Sequence, residues 1–254
     1  MIIKFSNQEI ATEEIIYFFK KRVQLKEICT NFLHQKIINK AIENYNITIT
    51  AEEVQAEGDK IRRQKHLEQA EDTFAWLKEE LISPEDWEAG IYDDLATKKL
   101  ATHLFSEAVK AFFEQNQYQF EQVLLYEIKT PYEKIAWEIF YQLEEEELSF
   151  YQAAHLYNID SERRIRCGYV GKVYRSELPP NIGTLVFQTI PGTVTTPIAS
   201  EEGYHIFLVE EFIPAELTDE IYQKLLHEMF QDWLAKELDY LLFNQTDDSK
   251  ETGL

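Results

Sequence analysis

The sequence predicts an α+β protein with a helical domain, to which both chain ends contribute, and a small domain around an antiparallel sheet. Apolar residues recur at helical spacing from Thr12 to about Phe113, where Pro84 is the only proline, and again beyond Pro214. Between these stretches, β-prone runs alternate with capped helices and turns that contain glycine. The predicted domains are residues 1–117, residues 118–212 and a C-terminal helix within 213–254 that docks on the first domain.

Capping residues mark helix starts in the first domain. In TAEE, at residues 50–53, the threonine hydroxyl can accept from the glutamate amide while the glutamate carboxylate accepts from the threonine amide. SPED, at residues 83–86, supplies a serine cap, a proline at the first helical position and acids in the first turn. Helices are therefore predicted to begin near residues 51 and 84.

The middle of the chain mixes strand and helix signals. FEQVLLYEI, at residues 120–128, is β-prone, and TPYE and SFYQ then open two helices, the second ending near Tyr157. The charged segment NIDSERRIR is predicted to be a loop, and the glycines of CGYVGK indicate a turn or a close backbone approach. A short helix ending at Phe187, the turn IPGTV and strands near 194–198 and 204–210 complete the order.

A long helix is predicted beyond Pro214, with Thr218 as a suitable cap. Its apolar stripe consists of Ile221, Leu225, Met229, Trp233 and Leu234. Because such a stripe needs a partner and the middle domain is already closed, we expect it to dock on the N-terminal helices. The polar tail from Gln245 is expected to fray.

The net charge of the chain disfavours negatively charged binding partners. The chain carries 46 acidic residues against 25 basic ones, a formal net charge of −21. Nucleic acids and anionic membrane surfaces bind basic patches, so neither is an expected partner. The acidic residues are spread along helical segments and are expected to form a solvated surface.

The termini and cysteines predict a cytoplasmic protein. The longest apolar runs fall far short of the roughly 20 residues of a membrane span, and MIIKFSNQEIATEE lacks the basic flank and apolar core of a secretory signal. Cys29 and Cys167 stand far apart in unlike contexts, which predicts neither a disulfide framework nor a CxxC site. The histidines show no ligand spacing such as HExxH, and no phosphate-binding or GxSxG motif occurs, so no metal or cofactor is expected.

EEGYHIFLVEE, at residues 201–211, places His205 inside an apolar run. A lone histidine there is ordinarily a core residue with a satisfied hydrogen bond. Taken in order with SFYQAAHLYNID, CGYVG, RSELPPNIGTLVF and IPGTVTTPI, the segment resembles the parvulin type of peptidyl-prolyl isomerase over residues 120–212. The preceding helices, with ITITAEEVQ and LISPEDWEAGI, resemble the N-terminal chaperone region of SurA and PrsA type foldases.

The resemblance implies a foldase that acts on unfolded or proline-containing polypeptide without a cofactor. Rotation about a prolyl bond crosses a barrier of about 18 to 20 kcal/mol and requires only the loss of amide resonance. An apolar site that desolvates the bond and hydrogen-bonds its twisted form is sufficient. This chemistry is consistent with a sequence that carries no set of catalytic residues typical of a hydrolase.

Eight residues receive roles from the resemblance. It implies a proline pocket of Leu178, Ile182 and Phe187, with Leu178 at the family's methionine position and Ile182 at an aromatic one. His205, Asp160 and Ser200 are implied around the amide, His205 orienting the site through hydrogen bonds. Gln122 and Leu124 are the candidates for the family's first-strand histidine, and neither is an imidazole.

Because the family's first-strand histidine is absent, His205 lacks a histidine partner, and alternatives to an active isomerase stay open. One alternative is a weak isomerase, and another is a non-catalytic holdase or export adaptor that keeps only the peptide-binding groove. A third possibility is a helical interaction protein with an incidental α+β module.

Overall fold

The computed structural model describes residues 2–5, 8–67 and 69–248. It confirms the α+β class. The chain divides into two compact units, which we call the helical unit (residues 1–109 with 219–254) and the sheet unit (residues 110–218).

The helical unit opens with an antiparallel hairpin that the sequence did not predict, in which Ile3 lies opposite Ile10. Its elements are β1 (Ile2–Phe5), β2 (Gln8–Ala11), α1 (Thr12–Lys21), α2 (Leu25–Asn44), α3 (Ala51–Gln64), α4 (Ala70–Glu79), α5 (Pro84–Gln115), which runs into the sheet unit, and α11 (Asp219–Asp248).

The two predicted helix starts are confirmed with their caps. The Glu53 amide donates to Thr50 Oγ1 over 3.3 Å and the Thr50 amide donates to Glu53 Oε2 over 2.9 Å. Ser83 and Asp86 exchange the equivalent pair at 3.1 and 3.0 Å before α5. These bonds satisfy backbone N–H groups that the first turn of a helix leaves unpaired.

The C-terminal helix α11 packs against α2 and so completes the helical unit. Its buried side chains are Leu225, Leu226, Phe230 and Leu234. The helix continues through Asp248, past the position where fraying was expected, and the remainder of the tail lies outside the described residues.

The sheet unit contains five antiparallel strands in the order β4, β3, β7, β5, with β6 also paired to β7. Its elements are α6 (Gln117–Phe120), β3 (Gln122–Thr130), α7 (Glu133–Glu144), α8 (Phe150–Tyr157), α9 (Ser161–Ile165), β4 (Tyr169–Tyr174), α10 (Pro180–Gln188), β5 (Thr193–Val194), β6 (Ile198–Ser200) and β7 (Gly203–Ile213).

Apolar side chains cover both faces of this sheet. On one face, Ile128, Ile206 and Leu208 pack against α7 and α8. On the other face, Val123, Leu125, Phe207 and Val209 pack against Ile182 and Val186 of α10. Neighbouring residues of a strand point to opposite faces, so β7 contributes to both layers.

Two segments differ from their predicted structure. NIDSERRIR was expected to be a loop, but Ser161–Ile165 forms the single-turn helix α9 because the Asp160 side chain accepts the Glu162 and Arg163 amides. CGYVGK was expected to be a turn or a close backbone approach, and this is confirmed at Gly168, which lies in a turn and where a Cβ atom would be 2.9 Å from the Glu127 carbonyl oxygen; residues 169–172, however, belong to the edge strand β4 opposite β3.

In the part of the chain that the structure describes, no helix combines the length and the apolar composition that a membrane span requires.

Candidate functional site

The face of the sheet that carries α10 presents a partly exposed apolar surface. We define the apolar site as Leu178, Ile182, Phe187, Phe207 and Phe212, which belong to one packed cluster. Ile182 and Phe207 are buried, whereas the other three are partly exposed. The three residues predicted to form the proline pocket therefore lie on the same face of the sheet.

Phe187 is held by an aromatic and a cationic neighbour. Its ring stacks on Phe212 with centroids 5.3 Å apart and planes at 15°. The Arg175 guanidinium lies 4.6 Å from the Phe187 centroid and also pairs with Glu121 at 3.1 Å. These contacts orient the ring at the open side of the cluster.

His205 lies next to this apolar site. Its side chain is buried, and its ring stacks on Phe207 with centroids 6.0 Å apart and planes at 6°. Nε2 lies 2.6 Å from Ser200 Oγ, which also accepts the Glu202 amide over 3.0 Å. The structure thus brings His205 and Ser200 together beside the proposed proline pocket.

The opposite ring nitrogen of His205 contacts a carboxylate that the sequence analysis missed. Nδ1 lies 2.5 Å from Oε1 of Glu127, a residue of β3 that is only 5% exposed. The other carboxylate oxygen of Glu127 pairs with the Arg163 guanidinium of α9. Ser200, His205, Glu127 and Arg163 therefore form one continuous polar network.

Asp160 stands at the far end of this network. One of its oxygens caps α9, and the other lies 3.8 Å from Arg163 Nε. The described contacts of its side chain are with α9, so Arg163 and Glu127 connect it to His205. The side chain orders the helix that supplies the cation.

Burial and neighbouring cations lower the pKa of His205 below its ordinary value of 6.5. Desolvation is the main cause, Lys129 and Arg163 act in the same direction, and Glu202 opposes them. The imidazole is therefore neutral at pH 7.

The two first-strand candidates lie away from His205. Gln122 and Leu124 stand opposite Ile213 and Glu211, at the other end of the β3–β7 pair, whereas Lys129 stands opposite His205. A register shift between Leu124 and Leu125 separates the two parts of the strand. A single sequence signal pointed to Glu127: it is an acidic residue in the otherwise apolar run LLYEI.

Across the described ranges, no group of three histidine, cysteine, aspartate or glutamate side chains is arranged to hold a metal ion. Instead, the site offers a neutral imidazole, a hydroxyl and a partly exposed apolar surface. Such groups can bind an apolar ring and form a hydrogen bond with a peptide backbone.

Comparison with known proteins matches residues 126–211 to the family model described as "Rotamase: PPIC-type PPIASE domain". This match begins within β3, ends within β7 and includes every residue of the polar network. The family resemblance predicted from the sequence motifs is thereby confirmed over these residues.

Two curated proteins are similar along most of the chain. "Foldase protein PrsA" of Halalkalibacterium halodurans is 23% identical over 237 residues, which cover 89% of this chain and 70% of that protein. "Foldase protein PrsA" of Caldanaerobacter subterraneus subsp. tengcongensis is 24% identical over 215 residues, or 85% of this chain and 64% of the relative. A crystal structure of peptidylprolyl isomerase PrsA from Bacillus cereus aligns over 99% of this chain and 92% of its own, with 14% identity and a TM-score of 0.49.

Proposed function

We propose that this chain, whose residues 126–211 are a parvulin-type peptidyl-prolyl isomerase domain, is a foldase that accelerates cis–trans isomerisation of Xaa-Pro bonds in unfolded polypeptide. The observation that carries the proposal is the position of the His205–Ser200 pair beside the partly exposed apolar site, on one face of the sheet. The foldase relatives, which are similar to the chain well beyond the isomerase domain, support the same function.

In this proposal the apolar site holds the proline ring. Leu178, Ile182 and Phe187 form an apolar surface that removes water from the prolyl bond. Desolvation favours the twisted amide, whose charge separation is smaller than that of the planar form. Interactions that are stronger with the twisted form than with the planar one raise the rate.

The polar groups contribute hydrogen bonds at the edge of the apolar site. Ser200 is exposed and reaches His205, so its hydroxyl oxygen can accept a hydrogen bond from a peptide N–H while the imidazole orients it. Asp160 supports the site through α9 and Arg163. Gln122 and Leu124 have no role in the proposed site because they lie at the other end of β3.

Substitution of Phe187 tests the isomerase proposal. Phe187→Ala removes an apolar wall that contacts Phe212 and Arg175, so we expect kcat/KM on an Xaa-Pro peptide to fall about tenfold or more, or about 1.4 kcal/mol of transition-state binding. A protease-coupled or NMR exchange assay measures the rate.

Ile190→Ala is the matched control, because Ile190 follows α10 but is 71% exposed. It should leave the rate unchanged. If the unsubstituted protein at micromolar concentration does not accelerate the exchange, the isomerase proposal is wrong.

A polypeptide-binding chaperone without isomerase activity is the second candidate function. A cavity of about 670 Å³ in the helical unit favours it, because this cavity lies between α3, α4 and α5 and is separate from the isomerase domain. Its walls include Val54, Leu77, Trp87 and the 60% exposed Phe74. Accessible apolar surface of this kind is suited to unfolded chains.

Cytoplasmic residence stays a prediction from the two widely separated cysteines.

A further inference from the structure

Glu127 is a buried ionisable side chain of the sheet unit with a partner at each carboxylate oxygen. Its side chain is 6% exposed, and each carboxylate oxygen has its own partner, His205 Nδ1 on one side and Arg163 on the other. Its backbone is also anchored, since its amide donates to the Gly168 carbonyl and its carbonyl accepts from Asn158 Nδ2, both over 2.7 Å. The carboxylate therefore has a fixed position.

Arg163 determines the charge state of this carboxylate. A buried carboxylate without a partner would be strongly disfavoured as an anion. A guanidinium stays protonated at all physiological pH values, so its contact with Glu127 keeps the carboxylate ionised. An ionised carboxylate has lone pairs and no proton, and can only accept hydrogen bonds.

That restriction determines the tautomer of His205. Because Glu127 can only accept, Nδ1 must carry the imidazole proton and donate it across the 2.5 Å contact. In the neutral ring, Nε2 then has a free lone pair, which accepts the Ser200 hydroxyl proton across 2.6 Å. The hydrogen bonds have a single direction, from Ser200 through His205 to Glu127.

We propose that Glu127 is a positioning residue of the isomerase site, which fixes the Nδ1-protonated tautomer of His205 and thereby the orientation of the Ser200 hydroxyl. In effect, a carboxylate and guanidinium pair takes the place of a second imidazole on the first strand. The consequence for catalysis rests on the proposed isomerase function, whereas the tautomer itself does not.

The variant Glu127→Gln tests whether Glu127 fixes the tautomer of His205. Arg163 only donates hydrogen bonds, so the amide oxygen must turn toward Arg163 and the amide NH₂ toward His205. Nδ1 must then accept, and the imidazole proton moves to Nε2. We expect the ¹⁵N chemical shifts of the His205 ring to exchange their assignments, and kcat/KM on an Xaa-Pro peptide to fall about tenfold because Ser200 is reoriented.

Two further variants make the result decisive. Glu211→Gln changes an exposed carboxylate of β7 and should leave both the His205 tautomer and the isomerase rate as they are in the unsubstituted protein. If Glu127→Gln alone does not fold, Glu127→Gln combined with Arg163→Met removes both charges together, which avoids leaving the Arg163 cation without a carboxylate partner. In that double variant the amide can adopt either orientation, so we expect a mixture of tautomers.

A single Nδ1-protonated His205 ring in Glu127→Gln, or in the double variant, would overturn the positioning role. Absence of isomerase activity in the unsubstituted protein would instead refute the proposed function, and the NMR measurement of the tautomer would still decide the role of Glu127.

Discussion

His205 occupies the first position of a five-residue buried run in β7, residues 205–209. Its neighbours from other elements are Glu127 and Lys129 of β3, Arg163 of α9, Ser200 of β6 and Glu202 of the following turn. The Glu127 carboxylate favours a protonated imidazole, but the positive charge of Arg163 offsets this attraction, and burial lowers the pKa of His205. The folded protein therefore binds a proton at this residue less readily than the unfolded chain does.

This difference predicts a pH-dependent stability. When the pKa is lower in the folded state, the unfolded state binds more protons, so stability is fully present above about pH 6.5 and decreases as the pH falls below it. Urea unfolding of the sheet unit at pH 7.5 and at pH 5 should show this loss, and His205→Gln should reduce the pH dependence. His227→Gln, in the helical unit, is the control and should keep the pH dependence of the unsubstituted protein. If the stability of His205→Gln depends on pH as steeply as that of the unsubstituted protein, His205 is not the group responsible.

Backbone geometry at the start of β7 places His205 in register with β3. Gly203 has φ +127°, and a Cβ atom there would lie 2.5 Å from the carbonyl oxygen of Thr130. Because the obstacle is backbone, a side chain at this position cannot be accommodated by a rotamer change. Glycine therefore allows the close approach of β7 to the end of β3, two residues before the histidine.

Two glycine substitutions with opposite expected signs test this geometry. Gly203→Ala should lower the free energy of unfolding of the sheet unit by about 1–3 kcal/mol. Gly90→Ala lies within α5, and apart from its own helix backbone and chain neighbours nothing lies within 4 Å of the new methyl group, so it should raise stability by about 0.5–1 kcal/mol. Chemical denaturation measures both, and a neutral Gly203→Ala would show that β7 can shift without cost.

On the scale of the whole molecule, strong negative charge accompanies accessible apolar surface. The net charge is −21, and the cavity of the helical unit combines apolar walls with the acidic residues Asp59, Glu85 and Glu88. Arg62 pairs with Asp59, which leaves the acidic side of the rim dominated by the two glutamates. If this cavity binds unfolded chains, as proposed, we expect it to prefer segments in which large apolar side chains stand beside lysine or arginine.

A variant of the cavity separates chaperone activity from isomerase activity. Phe74→Ala removes an exposed ring from the cavity wall, so the full-length protein should suppress aggregation of a denatured client with apolar and basic segments less effectively, at least about twofold. Its peptide isomerase rate should stay unchanged. Light scattering of the client is the measurement, and Tyr240→Ala, which removes an exposed ring outside this cavity, is the control. Equal suppression by the Phe74 variant and the unsubstituted protein would exclude the cavity as the binding site.

Local chemistry made much of the fold predictable. A capping box depends on residues three positions apart, and a helical stripe depends on residues three or four apart, so the starts of α3, α5 and α8 followed from the sequence. The resemblance of ordered motifs likewise identified the domain and pointed to His205 and Ser200, which the structure brings within 2.6 Å. The hairpin β1–β2 was missed because it is short, and α9 because a five-residue helix has too few positions to show a period.

The sequence by itself determined the class of the protein, the capped helix starts named above and the family of the domain, because these depend on neighbours in the chain or on the order of motifs. Only the tertiary structure decided that Glu127, 78 residues before His205, is its partner. That contact depends on strand register, on a shift between Leu124 and Leu125 and on a short helix that delivers Arg163. Such a contact forms across paired strands, and the spacing of residues along one strand does not reveal it.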